Sequence, residues 1–312
     1  MTTLFNASGN GAEELVNVLG LIDSNLSFDK WEPILPLGIR ELQGIVGADV
    51  VRAIDALYRD GGEQDSDVKE SVRLAQQAAA MFTWLRVIPT LEAQHGNSGR
   101  NKRLGENEHG LSSIQEFKDE ENIRNMAYEA VDALVELLDT TNPDFWQASQ
   151  KRKGLDALLI RTKEAFDEYY RIGSHRLFLT LIPMIREVQQ GDIIPIITSQ
   201  RYHDLLGGDN EMETLLGDAA RRPLALLTMK KAVERLPVEV LPTGIVQVQQ
   251  STTVRDKLRA EKSAREAVAR SLGDDAAAML QQLSDIIASL DDTKDYEPYV
   301  PGVTLQSKGI TF

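Results

Sequence analysis

Ile39-Arg40-Glu41-Leu42-Gln43 returns 146 residues later as Ile185-Arg186-Glu187-Val188-Gln189. A five-residue echo is weak alone, but other pieces recur in the same order. Ile45-Val46 matches Ile196-Ile197, Val87-Ile88-Pro89-Thr90 matches Val240-Leu241-Pro242-Thr243, and Leu138-Asp139-Thr140-Thr141 matches Leu290-Asp291-Asp292-Thr293. Their spacings are 151, 153 and 152. The aromatic-acid pairs Phe28-Asp29 and Phe166-Asp167 lie upstream at a shorter spacing. Short matches in one order at nearly constant spacing predict a duplicated unit. The chain then divides into a first repeat over 1–147, a second over 148–295 and an extended arm over 296–312.

The pattern inside each copy is helical. Ile123, Met126, Ala127, Ala130, Val131, Leu134 and Leu138 follow the three-four spacing of an amphipathic helix over about 118–139. Ser113 to Glu116 has capping-box spacing upstream, and Asn142-Pro143 ends the pattern. Ala278, Leu280, Leu283, Ile286, Ile287 and Leu290 occupy the equivalent stretch of the second copy. Residues 67–86 and 218–236 read as central helices, with Pro223 expected to kink the second or delay its start. Leu155, Leu158, Leu159, Phe166 and Tyr170 predict a long linking helix that breaks near Gly173-Ser174. Leu181, Ile182, Ile185 and Val188 predict the next one, with Thr180 as N-cap and Pro183 in its first turn.

Strand signals are few. Val238 and Val240, the turn Leu241-Pro242-Thr243-Gly244, and Ile245 to Val248 read as a hairpin or extended arm. Its counterpart runs from Val87 into a polar stretch, Gln94 to His109, expected as a mobile surface loop. Pro298, Pro301, Gly302 and Gly309 keep the tail from 296 extended, with Val300, Val303, Leu305 and Ile310 alternating along it. Extended arms with apolar residues invite pairing with their own chain or a neighbour. The fold class is therefore mainly α: two tandem diverged helical-bundle repeats with short β-hairpin or arm elements and an extended C-terminal tail. Val240, Pro242, Gly244, Val246, Val248, Tyr299, Val300, Val303 and Leu305 are the candidate subunit-interface residues.

Composition bounds the function. The chain of 312 residues is 42% hydrophobic and 26% charged, enough apolar material for a real core. No apolar run of about 18 residues predicts a membrane span. Met1 to Asn6 lacks the start of a signal peptide, and no cysteine is present to form disulfides or thiolate sites. Both features lead us to expect a protein made or assembled inside a cell. The net charge of −14 argues against general binding to DNA phosphates, which needs clustered Lys and Arg.

No catalytic, cofactor or metal site is expected. His95, His109, His175 and His203 show no metal-binding spacing, although His95 and His109 share one polar loop. His203 reads as a surface residue near a helix end. Gly61-Gly62 and Gly207-Gly208 read as helix stops, Ser8 to Gly11 as a turn, and Lys118 to Asn122 as acidic charge at a helix start. Arg221-Arg222 and the run Arg255, Lys257, Arg259, Lys262 and Arg265 read as a salt-bridged helix face or a contact for an acidic partner.

These features together resemble tandem-repeat structural proteins of tailed phages and prophages of Bacteroidetes, including the crAss-like phages. The resemblance is strongest over about 150–250, through Phe166-Asp167, Ile172-Gly173-Ser174-His175-Arg176, Leu181-Ile182-Pro183, Ile185-Arg186-Glu187 and Ile193-Ile194-Pro195. It implies a non-enzymatic virion component, a head–tail connector or neck-ring subunit. Such a subunit would form a ring homo-oligomer and contact portal and tail proteins. DNA would pass through without specific binding, no membrane would be involved, and the protein would sit in the host cytoplasm during assembly. A tail completion protein, a non-virion helical adaptor or assembly chaperone, and an enzyme with an unrecognised site are the alternative readings.

Overall fold

The computed structural model describes residues 3–20, 27–61, 65–96, 99–102, 112–207, 211–236 and 262–294. Within them the chain is mainly α-helical. Its elements are α1 (Gly11–Leu19), α2 (Phe28–Trp31), α3 (Leu35–Val46), α4 (Ala48–Asp60), α5 (Ser66–Glu92), β1 (Ala93–Gly96), β2 (Gly99–Lys102), α6 (Ser113–Thr141), α7 (Asp144–Gln147), α8 (Gln150–Lys153), α9 (Lys163–Asp167), α10 (His175–Val188), a π-helical turn (Gln189–Ile193), α11 (Ile194–Ile197), α12 (Ser199–Gly207), α13 (Glu211–Arg235) and α14 (Lys262–Lys294). Two long helical hairpins, α5/α6 and α13/α14, form the body. Helix α3 lies on α5 and α10 on α13, while α10 also touches α6, so one apolar core runs through both halves.

The echo that opens the sequence occupies matching places. Ile39 and Leu42 of α3 are buried, as are Ile185 and Val188 of α10. The exposed glutamate between them reaches the neighbouring long helix each time. Glu41 pairs with Arg86 at 2.7 Å, and Glu187 pairs with Lys231 at 3.0 Å and Arg235 at 2.5 Å. Those two cations hold the Glu187 carboxyl down to about 2. A buried threonine in each long helix bonds back one turn, Thr83 to the Ala79 carbonyl at 2.6 Å and Thr228 to the Leu224 carbonyl at 2.7 Å. The elbows before α4 and α12 are also alike. Gly47 has φ 106° and ψ 140°, and Thr198 has φ 71° and ψ 155°.

Helix α6 carries the predicted face, with Ile123, Ala127, Ala130, Val131, Leu134 and Leu138 buried. Its capping box is Ser112 with Gln115, one residue before the expected register, and Asn142 closes it in the left-handed conformation. Since α6 begins at Ser113, the acidic run 118–122 lies beyond its first turn. Gly61 closes α4 with φ 60°.

Other expectations fail for physical reasons. No long helix links the halves: α8 stops at Gly154, α9 starts at the Thr162 cap, and irregular chain lies between. Leu158, Leu159 and Ile160 are consecutive and all buried, which one face of a helix cannot provide. Helix α10 starts at His175 under a Ser174 cap; Thr180 is internal, bonded back to the Arg176 carbonyl. Pro223 lies inside α13 without delaying it, and residues 87–92 remain helical through Pro89. Ala278 faces outward, whereas Ala269, Leu272, Ala276, Leu283 and Ile287 face the core. Part of the expected loop at 94–109 is ordered, since β1 pairs antiparallel with β2. The hairpin expected at 238–249 and the arm at 296–312 lie outside the described residues.

Gly38 sets the distance between α3 and α5. A Cβ there would lie 2.6 Å from the Ala79 carbonyl oxygen and 2.8 Å from the Thr83 nitrogen, both backbone atoms unable to yield. Gly38→Ala is expected to destabilise by about 2 kcal/mol through overpacking. Gly44→Ala, exposed on the same helix with open space around it, should instead stabilise by about 1 kcal/mol. Urea denaturation of the two variants checks the pair; equal midpoints would discard this account of the crossing.

Candidate functional site

All nine candidate interface residues, from Val240 to Val248 and from Tyr299 to Leu305, lie outside the described residues. The structure does fix where their segments depart. Residues 237–261 connect α13 to α14 at the adjacent ends of the two helices. Arg265, from the basic run, closes the end of α13 by donating to the Val233 and Leu236 carbonyls, the latter at 2.8 Å. It is a cap and not part of an open basic face. Residues 93–112 hold the same place between α5 and α6. At the other end of α14, Asp291 pairs with Arg201 in the first turn of α12.

A polar junction joins the halves where α10 meets α6. Ser174 caps α10 by accepting from the Leu177 amide at 3.1 Å, and its hydroxyl donates to Asp132 at 3.1 Å. Asp132 also accepts from the Arg176 amide at 2.6 Å, while the Arg176 guanidinium lies 3.9 Å from the Tyr128 ring centroid. Asp139 accepts from the Trp146 indole at 2.9 Å. His175 sits buried between two carboxylates, with Nδ1 3.8 Å from Asp139 and Nε2 3.5 Å from Glu164. Burial alone would push its pKa down. The Asp139 and Glu164 carboxylates outweigh burial and Lys163, and the net shift is upward from 6.5. Sequence reading gave His175 no role, because its partners sit on α6 and α9, far apart along the chain.

The remaining histidines stay apart. His95 lies opposite Arg100 in the β1–β2 pair, His109 is outside the described residues, and His203 is exposed on α12 with its ring centroid 5.1 Å from that of Tyr202. Among the described residues, no three His, Asp or Glu side chains come together as a metal site, and no helix is long and apolar enough to cross a membrane.

A cleft of about 460 Å³ opens between the irregular segment, the end of α12 and α13. Leu158, Leu159, Leu205 and Leu206 line it together with Arg161 and Arg221. Arg161 donates to the Leu158 and Leu206 carbonyls at 3.1 and 3.0 Å, and Arg221 to the Leu159 carbonyl at 2.9 Å. Asp218, which accepts from Tyr169 at 2.8 Å, lies 3.5 Å from Arg221. Burial, aided by that carboxylate, pushes the Tyr169 hydroxyl up to about 12. Leu158, Leu159 and Leu205 are themselves buried, and both guanidiniums are held by backbone carbonyls, so the wall facing the cleft is mainly polar.

A family model described as "Family of unknown function (DUF6712)" matches residues 53–154 and 189–301, one stretch in each half. No curated protein and no solved structure matches the chain.

His175 makes stability pH-dependent. Its folded pKa is raised, so its contribution is complete below the ordinary histidine value and fades as pH rises through the folded value. Urea midpoints of the wild-type chain should therefore fall as pH rises above the ordinary histidine value of 6.5, and His175→Gln should flatten that slope. Parallel slopes for the two proteins would remove the junction as its source.

Proposed function

We propose that this chain, which belongs to the family of unknown function DUF6712, is a structural virion protein, a subunit of a head–tail connector or neck ring joining portal to tail. It has no catalytic role in this reading. The observation that carries it is the recurrence of one helical unit: the same glutamate–cation pair, back-bonded threonine and elbow stand in each half. These features support descent from a duplicated segment, and with it the tandem-repeat phage proteins that residues 150–250 resemble.

Physical properties support the role. A ring subunit needs a body that does not deform, and one core running through both halves supplies it. It also needs segments that reach a neighbour. Residues 237–261 connect α13 to α14 and carry the apolar alternation Val238, Val240, Val246 and Val248. A sequence of that kind suits addition to a neighbour's surface through backbone hydrogen bonds. The net charge of −14 suits a channel through which DNA slides without sticking. In the particle its partners are sister copies, portal and tail subunits; before assembly it stays in the host cytoplasm. A tail completion protein would share these properties, and a non-virion adaptor or assembly chaperone is distinguished by its absence from finished particles.

Light scattering on the purified chain should give one discrete oligomer, and negative-stain microscopy closed rings. Deleting residues 238–250 should abolish the rings while circular dichroism stays helical. A chain that is monomeric at every concentration, and missing from purified particles, would overturn the reading.

A further inference from the structure

We propose that residues 3–6 are an exchangeable plug, seated in a site that accepts the same segment from a second copy of the chain. The segment lies ahead of α1 and carries two anchors, Leu4 and Phe5, which are 0% and 2% exposed. Around them the body holds the segment's backbone with side chains. The Thr3 and Leu4 amides donate to one oxygen of Asp55 on α4, at 3.2 and 2.9 Å. The Asn6 amide donates to Glu14 on α1 at 2.7 Å, and the Ala7 amide to the Tyr58 hydroxyl on α4 at 2.9 Å. Gln76 on α5 donates to the Leu4 carbonyl at 2.7 Å. Asp55 and Gln76 are themselves buried, so their polar groups depend on the segment for partners.

A site built this way is a receptor for a short peptide, with room for two apolar side chains beside groups that match a backbone. Leu4 is held at φ 56°, a left-handed conformation that leucine seldom adopts, so the site imposes the segment's shape. The segment reaches α4 and α5 through a turn, Ala7 to Asn10, whose residues are all exposed. That turn doubles the chain back, with Asn6 at φ 66° and Gly9 at φ 81°. Opening it leaves Asp55, Gln76 and the space under both anchors to an identical segment from a neighbour. Exchange of an identical element keeps the same contacts and joins two chains at low cost. The chain's own segment has the higher local concentration, and a neighbour's competes once assembly brings the two copies together. The inference does not rest on the connector reading, since it requires two copies that meet and no ring.

The chain contains no cysteine, so single cysteines report without background. Thr3 and Arg59 touch, the guanidinium donating to the hydroxyl at 2.5 Å. Thr3→Cys therefore marks the segment and Arg59→Cys the site. The two full-length variants are co-expressed, so that segments are distributed as the chains fold, and are treated with a short bismaleimide. A covalent pair of one variant with the other should form at least about tenfold above the yield from Thr3→Cys with Gly44→Cys, an exposed position in open space on α3. Adding Leu4→Asp to the Thr3→Cys chain should return the yield to that control level while circular dichroism stays helical. With both cysteines on one chain, part of the product should still join two chains. A yield at the control level, a yield unchanged by Leu4→Asp, or capture wholly within single chains would overturn the inference. Light scattering on the same samples reports assembly separately. Rings without the cross-link would sink the exchange alone, and cross-linked dimers without rings would sink the connector reading alone.

Discussion

The structure depends on satisfying the backbone of residues 154–162, irregular chain that buries Leu155, Leu158, Leu159 and Ile160 while Asp156 and Ala157 stay exposed. Buried amides and carbonyls must find partners, because leaving one unmet costs about 1–3 kcal/mol. Side chains from three directions supply them. Gln189, itself buried, accepts from the Leu159 amide at 2.8 Å and donates to the Ala157 carbonyl at 2.8 Å. Tyr202 donates to that same carbonyl at 2.6 Å, and Arg221 serves the Leu159 carbonyl. Gln189 stands at the first position of the π-helical turn. That turn interrupts the line of α10 where its side chain is needed, a common reason for such turns to persist.

Around this joint the two halves solve one packing problem with different residues. Arg86 alone answers Glu41, whereas Lys231 and Arg235 together answer Glu187. These pairs are exposed, and solvent screening leaves them little to add to stability. Their recurrence therefore is not explained by energetics alone. The buried threonines are different. Each satisfies its hydroxyl on its own helix, so neither requires a polar partner from across the core.

Much of the helical architecture was legible because period and punctuation coincided. The face of α6 and its stop at Asn142 both follow from spacing and from the left-handed tolerance of asparagine. The segment after Gly154 misled because Leu155, Leu158 and Leu159 have helical spacing. Ile160, buried next to them, breaks it, and only a chain surrounded on all sides can bury such a run. Thr180 looked like a cap by residue type, yet Ser174, one residue before His175, takes that role by accepting from the Leu177 amide. The junction at His175 was not readable, since Asp139, Glu164 and His175 meet only once α6, α9 and α10 are placed. The cleft was equally hidden, being assembled from backbone carbonyls that sequence does not display.

The elbow at Thr198 leads directly into α12. With φ 71° and ψ 155°, this β-branched residue occupies a region used almost only by glycine, whereas the matching elbow is Gly47. Strain of that kind is on the order of 1–3 kcal/mol. It sits at the root of α12, the helix whose far end borders the cleft. The second half thus holds backbone strain at the root of α12, where the first half uses a glycine that carries none.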